Sequence, residues 1–215
     1  MAQKLQGSAE FLVLGDSIIR DVGTEHRNIK VECFPGIRTE QLQRVMENRD
    51  LGSPDTVVIH VGTNDLRRAA NLEYVMGDVY ALVQKAGIKS TKSKLVLSDV
   101  LRRRDVSWRR IGALNDRYDW IAKTTGVTFV DPNSWIDDRD FGRDGLRIYQ
   151  GGSRRLSQLY SRVCGFCGGG QKLNKWLLPS TTSEGASDRT RMKIIKENPT
   201  SEDNSGKERD RRRDK

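Results

Sequence analysis

Short apolar runs alternate with amphipathic ones along most of the chain. Phe11–Leu14 is fully apolar and stops at Gly15-Asp16-Ser17, which suits a strand buried on both faces. Ile29–Phe34 is a second candidate strand, closed by Pro35-Gly36. Thr39–Asn48 places Leu42, Val45 and Met46 on one face and is expected to be a helix capped by Thr39. Thr56–Val61, with Val57-Val58-Ile59 at its centre, is the clearest strand. Leu72–Ala86 carries Val75, Val79, Leu82 and Val83 at helical spacing, with Gly87 as its stop. Lys94–Ser98 and Val127–Val130 are the fourth and fifth strands, and Ser107–Thr125 is a long helix between them. A last helix over Ser153–Cys164 aligns Leu156, Leu159, Tyr160 and Val163. Alternation of this kind predicts a parallel sheet with helices on both sides. Sites in such folds gather at the carboxyl ends of the strands.

The alternation stops near Gly168. Beyond Gly168-Gly169-Gly170 the chain is rich in Ser, Thr, Lys, Arg, Asp and Glu, and it ends in Lys207-Glu208-Arg209-Asp210-Arg211-Arg212-Arg213-Asp214-Lys215. Such a segment lacks the apolar surface needed to offset its ordering entropy. The expected organisation is a flexible N-terminus over 1–9, one domain over 10–167, and a disordered, basic, mixed-charge tail over 168–215.

The net charge of +9 raises the question of an anionic partner. Arg102-Arg103-Arg104, Arg109-Arg110 and Arg154-Arg155 form local clusters. They read first as solvated helix faces and loops, with nucleic-acid binding through the clusters and tail as the alternative. Aromatic residues do not interleave with these arginines in an RNA-binding pattern. Cys164-Gly165-Phe166-Cys167 is a lone C-x-x-C, Cys33 stands apart, and neither His26 nor His60 completes a zinc spacing. The cysteines are expected to be ordinary reduced thiols, and no cofactor or metal motif is present in the sequence. Met1–Glu10 is polar and no apolar run is long enough to span a bilayer, so the default placement is intracellular and cytoplasmic.

Three segments carry candidate chemistry. Ser17 stands where a buried strand turns into the next element, so its backbone N–H could hold a developing oxyanion; a plain capping turn remains the alternative. Pro35-Gly36 frees a second N–H in a tight loop, or is an everyday turn. The Asn64 carboxamide, directly after Val57-Val58-Ile59-His60-Val61-Gly62-Thr63, could donate to an oxyanion, or Asn64-Asp65 could cap its own loop.

Gly-Asp-Ser after the first strand, Gly after the second, Gly-x-Asn-Asp after the third and an Asp144-Gly145-Leu146-Arg147 segment before the last helix appear in that order. This order resembles the SGNH, or GDSL-type, hydrolases over about residues 10 to 164. The resemblance implies a flavodoxin-like, three-layer α/β/α sandwich that hydrolyses carboxylic esters, often acetyl or lipid esters. By position, Ser17 would be the nucleophile, and Ser17 N–H, Gly36 N–H and Asn64 would form the oxyanion hole. Asp144 would orient a base at position 147. The family pattern is Asp-x-x-His, and here residue 147 is arginine. A guanidinium has no lone pair with which to accept the serine proton. Arg147 is therefore expected to pair with Asp144, and the catalysis to be lost or strongly impaired. His60, inside a strand, and His26, in a polar loop, are not expected to substitute.

A narrower resemblance joins Gly62-Thr63-Asn64-Asp65-Leu66-Arg67, Val100-Leu101-Arg102-Arg103-Arg104-Asp105, Trp108-Arg109-Arg110-Ile111 and Val130-Asp131-Pro132-Asn133-Ser134-Trp135. These blocks are similar to esterase-type domains in the first open reading frame of vertebrate non-LTR retrotransposons. That implies a transposon-derived gene and a lipid or nucleoprotein role.

Overall fold

Five parallel strands make one sheet in the order β2-β1-β3-β4-β5: β1 (Phe11–Gly15), β2 (Ile29–Cys33), β3 (Thr56–His60), β4 (Lys94–Ser98) and β5 (Thr128–Val130). The structure is a computed structural model and describes residues 11–164 apart from 25, 27 and 70. The expected N-terminal segment, the tail and Cys167 lie outside the described residues.

Both sheet faces are covered, which is why β1 and β3 read as continuous apolar runs. On one face, Leu12, Leu14, Val57 and Ile59 meet α1 (Thr39–Asn48), α2 (Leu72–Lys89) and α3 (Trp108–Thr125) through Leu42, Met46, Val79, Leu82, Leu114 and Ile121. On the other, Val13, Val58 and Val96 meet α4 (Gln150–Cys164) through Leu156, Leu159 and Tyr160. The result is the expected three-layer α/β/α sandwich, with the strand order of flavodoxin-like folds. The edge strand β2 carries Lys30 and Glu32 outward; Glu32 pairs with Lys30 at 2.7 Å and with Arg49 at 3.0 Å. Charges of this kind discourage pairing of an open edge with another chain. Among the described residues no helix is long and apolar enough to cross a membrane.

Three boundaries differ from the sequence expectation. Helix α2 runs through Gly87 to Lys89, with Ser90 as its cap. Its last turn is held by fully buried Ala86 and by Lys89 Nζ, which donates to the carbonyls of Glu47 (2.6 Å) and Arg49 (3.1 Å). These contacts outweigh the roughly 1 kcal/mol that a mid-helix glycine costs. Helix α4 starts at Gln150 rather than Ser153; the Ser153 N–H already bonds the Tyr149 carbonyl at 2.9 Å. Thr39 is the first helical residue of α1 rather than its cap, because the cap arrives from elsewhere in the chain, as described below.

Gly15 fixes how closely β1 and β3 approach. It pairs with Cys33 on one side and His60 on the other, and a Cβ at this position would lie 1.9 Å from the His60 carbonyl oxygen. The Asp16 N–H donates to that same oxygen at 3.2 Å. A methyl group there forces the strands apart where the candidate site begins. Gly15→Ala is expected to cost about 3 kcal/mol or more, read as a lower urea midpoint at unchanged m-value.

Candidate active site

The register brings the three motif-bearing connections to one edge. Gly15, Cys33 and His60 are level across β1, β2 and β3, so the chain leaves these neighbouring strands side by side toward Ser17, Gly36 and Asn64.

Ser17 is half-buried and opens a single 3-10 turn, Ser17–Ile19. The element after β1 is therefore a single turn, and it supplies no α-helix dipole. Asp16 explains the turn: its Oδ1 accepts the Ile18 N–H at 3.0 Å, while its Oδ2 is buried without a partner. Among the described residues neither the Ser17 N–H nor its Oγ is committed to a hydrogen bond. The same holds for the Gly36 N–H, in a residue at φ +78° that its missing side chain permits. The neighbours of Gly36 hold the loop: Phe34 N–H donates to the Gly15 carbonyl at 2.9 Å, and Ile37 N–H to the Phe34 carbonyl at 3.1 Å.

Asn64 is half-buried and donates one amide hydrogen to the Ile37 carbonyl at 2.9 Å, which leaves its second hydrogen for a ligand. Next to it, buried Asp65 accepts from the Thr39 N–H at 3.1 and 3.3 Å and from the Thr39 hydroxyl at 3.1 Å. Asn64 and Asp65 therefore tie the β3–α2 connection to the β2–α1 connection instead of capping their own loop. Burial raises the Asp65 carboxyl above the usual range, and its bonds from Thr39 oppose that rise. Gly36 and Asn64 share a cavity of about 540 Å³ with Arg38, Gln41, Arg67 and Arg68; Ser17 is not part of its wall.

Asp144 and Arg147 lie on an exposed turn before α4, closed by Gly142 N–H to the Arg147 carbonyl at 2.7 Å. The expected side-chain pair between them does not form. Asp144 Oδ1 instead accepts the backbone N–H groups of Leu146 (2.9 Å) and Arg147 (3.3 Å). These bonds, Leu146 first, hold its carboxyl below the usual range. A solvated ion pair gains little over such local bonds. The turn is anchored to the β4–α3 connection by Arg104 N–H on the Gly145 carbonyl at 3.2 Å. Among the described residues no hydrogen bond joins it to Ser17.

The two histidines among the described residues lie inside β3 and just before β2. His60 is fully buried in β3, with Nδ1 3.0 Å from both Ser98 Oγ and Tyr160 OH. Burial lowers its pKa, opposed by the Asp16 charge, so it is a neutral packing group. His26 sits in the turn between the 3-10 helix and β2, its N–H on the Gly23 carbonyl at 2.9 Å. Burial pushes the Cys164 thiol up to about 11.

Sequence alone missed Asp99, directly after β4. It is buried, its Oδ1 has no partner, and burial followed by repulsion from Asp131, Asp119 and Asp116 raises it to about 8. An acidic residue after an apolar run reads as an ordinary turn, and its carboxylate neighbours come from distant segments.

A family model for the GDSL-like Lipase/Acylhydrolase family matches residues 13–151, from the middle of β1 into α4. The chain belongs to the GDSL-like lipase/acylhydrolase family. Solved structures agree on the fold. A GDSL-like lipase from Bacteroides thetaiotaomicron is 21% identical, with a TM-score of 0.64 over 77% of this chain and 92% of that one. The esterase EstA from Pseudoalteromonas, in a form inhibited by monoethylphosphonate, is 14% identical, with a TM-score of 0.57 over 73% and 96%. No curated protein matches the chain at the level of sequence. Within this GDSL-like domain Gly36 and Asn64 line one cavity, and the Asp144–Arg147 turn is bonded to the β4–α3 connection through Arg104.

The Asp99 environment sets a pH dependence. In the folded domain this carboxyl keeps its proton up to about pH 8, whereas an unfolded aspartate releases it near pH 4. The folded state binds the extra proton between those values, so its stability falls as pH rises through that window. Thermal melts from pH 5 to 8.5 are expected to show a declining Tm that Asp99→Asn, which mimics the protonated acid, flattens.

Proposed function

We propose that this domain binds carboxylic esters in an acylhydrolase-type site and is strongly impaired in hydrolysing them. The observation that carries this reading is the contrast between two halves of the site. On the oxyanion side, the uncommitted N–H groups of Ser17 and Gly36 and the tethered Asn64 amide suit a carbonyl oxygen acquiring negative charge. On the proton-transfer side, position 147 is a guanidinium on an exposed turn, and of the two histidines among the described residues His60 is buried in β3 with Nδ1 beside Ser98 and Tyr160, while His26 precedes β2.

In the proposed chemistry Ser17 Oγ would attack the ester carbonyl while its proton passes to a base. Without an acceptor at 147 the neutral hydroxyl is a weak nucleophile, and the oxyanion donors alone retain only a small part of the rate. Asp144 would still be placed to orient a histidine three residues on, through its second oxygen. The ester of choice is an acetyl or other short ester, or a lipid ester, as the family resemblance suggests. The retroelement-like blocks support a transposon-derived origin in which loss of the base leaves a binding domain.

A second reading, a non-catalytic domain that contacts nucleic acid, draws on one observation. Trp108, 75% exposed, lines a cavity of about 280 Å³ with Arg102, Arg103 and Arg104, so an aromatic does accompany that basic cluster. Much of its charge is already answered, since Arg103 grips Asp105 through two bonds of 2.7 and 2.8 Å and Arg102 lies 3.8 Å from Asp138. Under this reading, affinity for a single-stranded oligonucleotide should fall steeply with salt, and Trp108→Ala should weaken it. Affinity unchanged by both would rule it out.

The decisive experiment restores the base. Arg147→His is expected to raise kcat/KM for p-nitrophenyl acetate by about 100-fold or more, with Ser17→Ala in that background removing the gain. Fluorophosphonate labelling of Ser17 should rise in parallel. Ser17-dependent hydrolysis at full enzymatic rates by the natural chain would overturn the proposal.

A further inference from the structure

The wall of the 540 Å³ cavity has a composition that the ester reading does not account for. Its side chains are Arg38, Gln41, Asn64, Arg67 and Arg68, with Gly36 completing it, so it presents three guanidinium groups and no carboxylate. Arg67 is partly answered by Asp105, 3.3 Å from its Nε. Among the described residues Arg38 and Arg68 have no carboxylate within 4.0 Å. The nearest acids on neighbouring elements are engaged elsewhere: Asp65 is bound by Thr39, and Glu40 pairs with Arg44. Asp65 and Asp78 both feel the Arg38 charge without pairing with it directly.

We propose that this cavity binds the phosphate of a small ester whose acyl carbonyl occupies the adjoining oxyanion site, with Arg38 and Arg68 as its principal donors. The inference rests on the ester reading for the carbonyl, but the phosphate site stands on its own geometry. Gly36 and Asn64 belong to both places, so a ligand held by them projects directly toward the arginines. Guanidinium groups offer paired N–H donors that match tetrahedral oxyanions, and two uncommitted ones on one wall leave an excess of positive charge. The volume falls within the range of small-molecule sites and exceeds what a lone anion fills. The same wall argues against an alkyl chain at this end of the site: none of its side chains is hydrophobic, so a fatty acyl tail would bury no apolar surface there. The phosphate could belong to a soluble metabolite ester or to a lipid headgroup, with any tail directed elsewhere.

Calorimetry on the full chain tests this with glycerol 3-phosphate and glycerol as probes. Saturable binding of glycerol 3-phosphate but not glycerol is expected, weakened about tenfold or more in the Arg38→Gln/Arg68→Gln variant. A Lys92→Gln/Lys123→Gln variant, which removes the same charge elsewhere on the surface, should bind as the natural chain does. Arg68→Gln alone, at an exposed position, keeps the test valid if the double variant melts early. Co-sedimentation with phosphatidylcholine vesicles containing phosphatidic acid, lost in the double variant, assigns the phosphate to a lipid headgroup; binding of the soluble probe alone assigns it to a metabolite ester. Equal affinity in natural chain and variants, equal binding of glycerol, or no saturation would overturn the proposal. These outcomes are separable from the ester reading: intact phosphate binding without rescue in Arg147→His would sink only the ester reading, and rescue without arginine-dependent binding only this one.

Discussion

The grip of the Asp65 carboxylate on Thr39 is the constraint on which the candidate site depends. One buried side chain accepts both the N–H and the hydroxyl of the first residue of α1, from the connection that leaves β3. A carboxylate placed there also answers the exposed N–H groups at a helix start. Hydrogen bonds to a charged group contribute about 1.5–3 kcal/mol each, and removing one partner would leave a buried charge unanswered. The geometric consequence matters as much. Asn64, one residue earlier, is held against Ile37, one residue past Gly36, so the donors of both connections are fixed before any ligand arrives. Preorganised donors of that kind need no rearrangement as charge develops, which is what makes an oxyanion site effective.

The sheet was legible because burial on both faces writes itself as uninterrupted apolar runs, as in Phe11–Leu14 and Val57–Ile59. The ends of helices were less so, since they are decided by partners far along the chain. Gly87 looks like a stop until Lys89 is seen to reach the carbonyls of Glu47 and Arg49. Thr39 looks like a cap until Asp65 supplies one from 26 residues away. Ser17, Gly36 and Asn64 are expected as a set from their order after successive strands, and the register does set those three connections side by side. The role of Asp65 is not legible in this way, because Asn-Asp after a strand is equally good turn chemistry.

Local competition explains the one expected contact that fails. An Asp and an Arg three residues apart suggest an ion pair, yet the intervening backbone offers Asp144 two N–H groups at shorter reach and lower entropic cost. The Arg102–Arg104 cluster shows the opposite case. Its arginines read as solvated, and Trp108 reads as the start of a helix, but the fold gathers them around one cavity.

The candidate site residues differ in how firmly the fold holds them. Gly15 sets the strand approach, Asn64 ties two connections together, and Gly36 holds a left-handed backbone at φ +78° with open space beside it, so each is constrained in a different way. Position 147 is different: its side chain is exposed, and the turn is closed by backbone atoms and by Asp144. Among the described residues no hydrogen bond or ion pair runs through the Arg147 side chain. The Gly36 and Asn64 side is therefore tied into the fold through backbone conformation and inter-loop bonds, whereas the side chain at 147 is not. The arginines beside Gly36 and Asn64 line the same cavity, so the tied connections and the positive charge occupy one place in the fold.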